Sequence, residues 1–264
     1  MDSSKAVVVM NEFKDLFSEQ AVRYSKFRPA YPDELFRYLA SLTKARKLAW
    51  DCGTGNGQAA VKLASYFERI VATDPSEEQL ASAIRHPKVA YRKTSAGESG
   101  LGEMSVDLIT AAQAFHWFQL EKFFEEVRRV SKIGGVLAVW CYNLAKITPE
   151  VDAVVRYLYK DVLGSYWEKE RQLVEEGYKG IPFPFEEIAP PVFAITAQWS
   201  LDQMVGYLST WSALQTFIKK KGSNPLESVY PELKQAWNND SIRSVRWALA
   251  IRVGVVKRGV AQLG

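Results

Sequence analysis

The stretch Lys47 to Gln58 constrains this chain most. An apolar run through Leu48, Ala49 and Trp50 ends at Asp51, and glycines then stand at alternate positions, Gly53, Gly55 and Gly57. A helical pattern begins at once, with Ala60, Leu63, Ala64 and Phe67 spaced to share one face. Strand, tight glycine turn and helix N-terminus together open a nucleotide-binding βαβ unit. Glycine suits the turn because positive φ is needed there, and because a side chain would block a ligand's approach to the backbone.

The details of the loop choose among ligands. A dinucleotide fingerprint G-x-G-x-x-G would place its third glycine at position 58, which is Gln58. The loop instead reads D-x-G-x-G-x-G, with Asp51 two residues before the first glycine. A carboxylate there would repel a pyrophosphate and suits a ligand with an ammonium group. S-adenosylmethionine has an adenosine, an α-amino group and no phosphate, so the loop favours it over NAD. An NAD(P)-dependent oxidoreductase is the disfavoured alternative.

At 264 residues the chain suits a single domain. Residues 1–45 would form an N-terminal lid and helices, 46–142 the cofactor-binding core, and 143–264 a helical, aromatic-rich substrate side with the last two strands. A net charge of +4, from 34 basic and 30 acidic residues, is too even to imply nucleic acid or an anionic membrane as partner. Cys52 and Cys141 lie in apolar strand-like runs and read as buried thiols of a reducing compartment. No apolar run approaches the roughly 18 residues of a membrane span, and the first residues lack the order of a signal peptide. A cytoplasmic protein without a metal site is expected.

Along the chain, Pro32, Asp33 and Glu34 make a good first helical turn, followed by Leu35, Phe36, Leu39 and Leu42 on one face. Before it, Tyr24, Arg28 and Tyr31 would either pack on the domain edge or close as a lid. Arg69 to Asp74 is a second strand, and Asp74 stands 21 positions after Gly53, close to where a ribose-binding acid belongs. Asp74 also suits capping of a helix from Ser76 to Arg85. Val89 to Lys93 is a third strand, and the polar turn Thr94 to Glu98 after it would lie against adenine. Val106 to Ala112 is a buried strand that delivers Gln113 to Phe118 to the sheet's carboxyl rim, with His116 near the reacting group. A helix from Glu121 to Lys132 would end at Gly134 and Gly135, followed by a strand to Tyr142. Thr148 to Tyr178 reads as helical, and Ile181 to Phe185 as a rigid loop. Val192 to Ser200 and Val245 to Val255 alternate as strands around a helical insert, Leu201 to Asn238. Lys219 to Gly222 reads as a solvated helix end.

These pieces resemble the class I S-adenosylmethionine-dependent methyltransferases, and more closely the small-molecule group that includes trans-aconitate methyltransferase. The resemblance is carried by Asp51-Cys-Gly-Thr-Gly-Asn-Gly57, Ala72-Thr-Asp-Pro-Ser76, Ser105-Val-Asp-Leu108, Ala111-Ala-Gln-Ala-Phe-His-Trp-Phe118 and Glu126-Val-Arg-Arg-Val130. Tyr24-Ser-Lys-Phe-Arg-Pro-Ala-Tyr-Pro32 is similar as well. It implies an α/β fold with a doubly wound, mostly parallel seven-stranded sheet, an antiparallel last strand and a helical insert. It implies S-adenosyl-L-methionine as cofactor and S-adenosyl-L-homocysteine as product.

By position, Asp51, Gly53, Thr54, Gly55 and Gly57 would face the methionine part and ribose. Asp74, with Pro75 and Ser76, would hold the ribose, and Ser95 and Ala96 would flank adenine. Gln113, Ala114, Phe115 and Trp117 would line the transfer site beside His116, and Tyr24 and Arg28 would close over the carboxylate. The implied function is O-methylation of a small molecule at a carboxylate or hydroxyl, with His116 as base where a proton must leave. A catalytically silent protein that binds the cofactor or its product is the other alternative. The insert carries no arginine cluster to clamp a polyacid, so a partly aromatic or apolar metabolite suits it better. The oligomeric state is not indicated.

Overall fold

The computed structural model describes residues 27–238 and 241–257. These divide into two compact units, one built from 30–145, 169–196 and the stretch from 246 onward, the other from 146–168 and 197–245 with the residues just before Ala30.

The first unit holds the sheet apart from residues 197–199 and 243–245. Strands β1 (Leu48–Cys52), β2 (Arg69–Asp74), β3 (Val89–Lys93), β4 (Val106–Ala112) and β5 (Ser131–Tyr142) run parallel in the order β3-β2-β1-β4-β5. β1 is buried along its whole length and β4 along all but its last residue, as expected for parallel strands covered on both faces. The long strand β8 (Arg243–Val256) then pairs antiparallel with β5, Gly135 facing Val256 and Tyr142 facing Leu249. Two further strands, β6 (Glu186–Ile188) and β7 (Ala194–Trp199), pair with β8. The sheet therefore has eight strands, mostly parallel, with an antiparallel edge. The strand beyond the expected seven is β6, three residues with no fully buried side chain and no apolar alternation to announce it.

Helix α1 (Asp33–Ser41) opens with Asp33 and Glu34 at its positive end and buries Leu35, Phe36, Leu39 and Ala40. Helices α2 (Gln58–Leu63), α3 (Glu77–Ala81) and α4 (Leu120–Val130) follow β1, β2 and β4. Where α4 ends, β5 starts immediately at Ser131 instead of at Gly135, and its register against β4 shifts between Val106 and Leu108. Gly134, at a φ of 79°, turns the chain there, and a Cβ on Gly135 would collide with the Ser131 hydroxyl. The two glycines thus form a bulge within the strand.

Asp107, 5% exposed, ties this end of the sheet together. Its Oδ2 accepts from the Lys47 and Leu48 amides, each at 3.0 Å, and its Oδ1 from Lys132 Nζ at 2.7 Å. Trp50, fully buried on β1, donates its indole N–H to Thr73 Oγ1 at 2.9 Å.

In the second unit, α5 (Pro149–Tyr157) is capped by Thr148 and continues into one wide turn, Leu158–Val162. Helices α6 (Arg171–Glu175, in the first unit), α7 (Leu201–Ser209), α8 (Ser212–Lys221) and α9 (Pro225–Trp237) complete the chain. Ser200 and Gln203 form a full capping box on α7. Gly222, at a φ of 71°, ends α8 after three lysines. Tyr159, Trp167, Trp211 and Tyr207 make a continuous aromatic cluster, with ring centroids 4.7 to 6.0 Å apart. No described helix is long and apolar enough to cross a membrane.

Candidate functional site

Strand order reverses between β1 and β4, and ligands of open α/β sheets bind outside the carboxyl ends at such a point. A cavity of about 490 Å³ opens there, within the 300–1,000 Å³ typical of ligand sites. Gly53, Asp74, Pro75, Ser95, Ala96, Ala114 and Trp117 line it, seven positions that the sequence also singles out. Thr94, Gly97 and Glu98, from the turn expected against adenine, and Phe118, from the expected rim, line it too, together with Gln119 and Lys122. Lys122 enters because α4 lies against the turn after β3: a Cβ on Gly97 would stand 2.8 Å from Lys122 Cβ. The glycine was the available signal for that close approach.

The loop after β1 takes left-handed backbone at Gly53, Gly55 and Gly57, with φ of 67°, 55° and 87°. At Gly53 the constraint is also spatial, since a Cβ would stand 2.5 Å from Ala114 Cβ and 3.2 Å from the Phe118 ring. Asp74 reaches from the end of β2 to brace this loop. Its Oδ2 accepts from the Gly55 amide at 2.8 Å and its Oδ1 from the Ser76 amide at 2.9 Å. Ser76 in turn caps α3 through Gln79 N at 3.2 Å. Asp74 therefore organises the loop and helix, and each oxygen keeps a lone pair for a further donor.

Asp51 lies beneath the loop, fully buried. Thr54 Oγ1 donates to its Oδ2 at 2.5 Å and Thr110 Oγ1 to its Oδ1 at 2.7 Å. Burial pushes its carboxyl up to about 6, against the pull of those two hydroxyls.

On the far side of β4, Gln113 leaves the strand with a φ of 56°. Phe115 is fully buried among Phe123, Phe124 and Tyr178, while Trp117 is 57% exposed at the cavity. His116 Nδ1 lies 3.0 Å from Tyr178 Oη. Burial and the nearby Arg171 charge lower the imidazole to about 4, leaving it neutral at pH 7. Asp51, Thr54, Gly55, Gly57, Ser76, Gln113, Phe115 and His116 are outside the cavity lining. Arg28 belongs to the second unit, and Tyr24 lies outside the described residues.

The buried clamp on Glu126 steadies the segment after the cavity wall. Glu126 accepts from the Ser99 amide at 2.8 Å, from the Ser99 hydroxyl, and from Arg129 Nε and Nη2, each at 2.7 Å. Burial alone would raise its carboxyl, but these donors outweigh it and hold it below the ordinary value.

A switch-point cavity walled by bare backbone, with an acid at the end of β2, defines a nucleoside-binding α/β protein of the Rossmann-like class. The residues fit an adenosyl ligand: Asp74 has capacity for ribose hydroxyls, and a Cβ at Gly53 would disturb the wall. Residues 50–139 match the family described as methyltransferase domain. A Dictyostelium discoideum protein named as a methyltransferase is 38% identical over 228 residues, 85% of each chain. A Saccharomyces cerevisiae protein named as an S-adenosylmethionine-dependent methyltransferase is 26% identical, covering 78% of this chain and 83% of its own. A solved structure from Anaeromyxobacter dehalogenans, described as a type II methyltransferase, superposes with a TM-score of 0.83 at 45% identity. It covers 88% of this chain and all of its own. The chain belongs to the S-adenosylmethionine-dependent methyltransferases. Its cofactor is S-adenosyl-L-methionine, which supplies an activated methyl group.

Proposed function

We propose that this enzyme methylates an oxygen of a small molecule, with a carboxylate as the preferred acceptor. The observation that supports this is the weak basicity of His116, lowered to about 4 by burial and Arg171. A hydroxyl acceptor must lose a proton, and an imidazole of that basicity takes one poorly at pH 7. A carboxylate is ionised already. The chain's own tasks are then to bind the nucleoside, orient the acceptor and exclude water.

In this reading Gly53, Asp74, Ser95 and Ala96 hold the ribose and adenine, with Pro75 and Trp117 closing the cavity. Asp51, Thr54, Gly55 and Gly57 shape the loop that faces the methionine part, and Gln113 to His116 form the transfer rim. Tyr24 and Arg28 are proposed for the carboxylate end. The aromatic-rich region 143–264 is the proposed acceptor-recognising part, and the near-neutral charge favours a metabolite over nucleic acid.

The test is transfer of labelled methyl from S-adenosylmethionine to a panel of carboxylic acids, phenols and amines. Methyl esters release methanol in alkali, whereas ethers and N-methyl products do not. Product label that survives alkali would overturn the carboxylate assignment, and no transfer to any member would overturn the small-molecule reading for that panel.

A further inference from the structure

We propose that Tyr178 is a positioning residue that fixes His116 as the Nε2–H tautomer, so that His116 donates a hydrogen bond to an already ionised acceptor oxygen. The donor role deepens the carboxylate reading above and rests on it; the tautomer stands on the chain alone.

The phenol of Tyr178 is held unusually firmly. Gly177 and Tyr178 both take left-handed backbone, each with a φ of 63°, and only one of them is glycine. Gly177 has no room for a side chain, since a Cβ would lie 2.8 Å from Ala250 Cβ. The Tyr178 amide donates to the Leu173 carbonyl at 2.8 Å. Its carbonyl accepts from Arg252 Nη1 at 2.9 Å, and the same nitrogen donates to the Ile181 carbonyl at 2.5 Å. Arg252 is itself held by Glu187 through Nε at 3.0 Å and Nη2 at 2.6 Å. The ring is fully buried, edge-on to Phe115 at 5.3 Å. A non-glycine residue kept in this backbone region by so many contacts marks a position whose side chain must point one way.

It points at His116. Burial raises the Tyr178 phenol well above its usual range, so it stays protonated and needs an acceptor. Its neighbours are His116 Nδ1, at 3.0 Å, the backbone of His116, which bonds the phenol oxygen, and the Cys141 thiol. Cys141 gives its own proton to the Val174 carbonyl at 3.7 Å, and thiol sulfur accepts weakly. The phenol therefore donates to Nδ1, and the imidazole proton resides on Nε2. Nε2 makes no hydrogen bond with the described residues. The charged neighbour is Arg171, itself bonded to Asn143 Oδ1 at 2.6 Å, and it opposes the imidazolium form. The Trp117 ring centroid lies 4.8 Å from that of His116. A neutral Nε2–H group is a donor: it suits the spare oxygen of a carboxylate and cannot take a proton at that nitrogen.

The test is nitrogen-15 NMR of the histidine rings, simple because the chain has only His86 and His116. Wild type should show His116 as Nε2–H, neutral to below pH 5. An Nδ1–H tautomer would overturn the proposal. Tyr178→Phe should give averaged tautomer shifts with unchanged S-adenosylhomocysteine affinity; a fixed Nε2–H in that variant would also overturn it. If that variant does not fold, the wild-type spectrum still decides. With a carboxylate acceptor, Tyr178→Phe should raise KM roughly tenfold, the loss of one positioned hydrogen bond. His116→Gln, which keeps a donor, should lose less turnover than His116→Ala. Equal losses would sink the donor role. Absence of any carboxylate substrate would instead defeat the parent reading, while the tautomer result stood by itself.

Discussion

Gln113 and Tyr142 pair as though the side chain were one more residue of β4. Tyr142 N donates to Gln113 Oε1 at 2.8 Å, and Gln113 Nε2 donates back to the Tyr142 carbonyl at 3.2 Å. The main chain of β4 has already turned away, because Gln113 sits at a φ of 56° after its amide bonds the Trp140 carbonyl at 2.8 Å. An amide is needed, having one acceptor and one donor in the geometry of a peptide group. Gln113→Ala should lower stability by about 1–3 kcal/mol, the cost of leaving buried backbone groups unpaired. Gln113→Glu should also destabilise, because it sets a carboxylate oxygen against a carbonyl. Urea denaturation checks both, and unchanged midpoints would show that the pairing is dispensable.

Gly53 invites a controlled comparison with Gly222. Both have left-handed backbone, at 67° and 71°, but a Cβ at Gly222 meets nothing within 4 Å. Gly222→Ala should carry only the left-handed penalty of about 1–2 kcal/mol and leave cofactor affinity alone. Gly53→Ala adds the collision with Ala114 and Phe118 in the cavity wall. It should weaken S-adenosylhomocysteine binding by at least about tenfold in calorimetry, or about 1.4 kcal/mol. Equal affinity in the two variants would detach that wall from the ligand.

What the sequence discloses follows from how local each determinant is. The glycine loop, Asp74 and the buried strands are legible because a φ requirement, a spacing after the loop, or an apolar run is written into neighbouring residues. The antiparallel strand β8 is legible for the same reason, since Val245, Trp247 and Leu249 alternate with exposed positions. The partners of His116 and Gln113 are not legible. Tyr178 lies 62 positions from His116, and Tyr142 lies 29 from Gln113, contacts that only the folded sheet creates. Asp51 shows both sides of this. Its identity suggests a charge at the ligand, whereas Thr110, 59 positions away, holds it in a fully buried site.

Asp74 serves the loop backbone now, and its spare lone pairs are proposed for the ribose. Asp74→Ala should weaken S-adenosylhomocysteine binding by about 2 kcal/mol, roughly thirtyfold, if two charge-assisted bonds become one lost anchor. Asp74→Asn keeps acceptor capacity at one oxygen and should lose less. Calorimetry ranks the three proteins, and unaltered affinity in Asp74→Ala would remove this residue from the cofactor site.

The buried Asp51 makes a pH prediction of unusual sign. Its folded pKa, pushed up to about 6 by burial, exceeds the ordinary 3.8, so the folded protein binds this proton more tightly than the unfolded chain. Its contribution should therefore make the fold more stable as pH falls from about 6 towards 4, by up to ~3 kcal/mol for a shift of this size. Glu126 acts oppositely, but only as pH falls below its ordinary 4.5, since its folded pKa is lowered. Between pH 6 and 5 Glu126 adds little. His116, whose folded pKa of about 4 lies below its ordinary 6.5, loses stability as pH falls and offsets Asp51. The Asp51 part is therefore read from denaturation curves as the difference between wild type and Asp51→Asn. Asp51→Asn should remove the Asp51 gain and leave the His116 loss, so its stability should fall towards acid more steeply than that of wild type. Should the Asp51 carboxylate face the cofactor's ammonium group, protonation would compete with binding. S-adenosylhomocysteine affinity would then fall below pH 6 in wild type but not in Asp51→Asn. A wild-type affinity indifferent to pH across that window, beside the expected difference in stability between wild type and Asp51→Asn, would make Asp51 a strut for Thr54 and Thr110 alone.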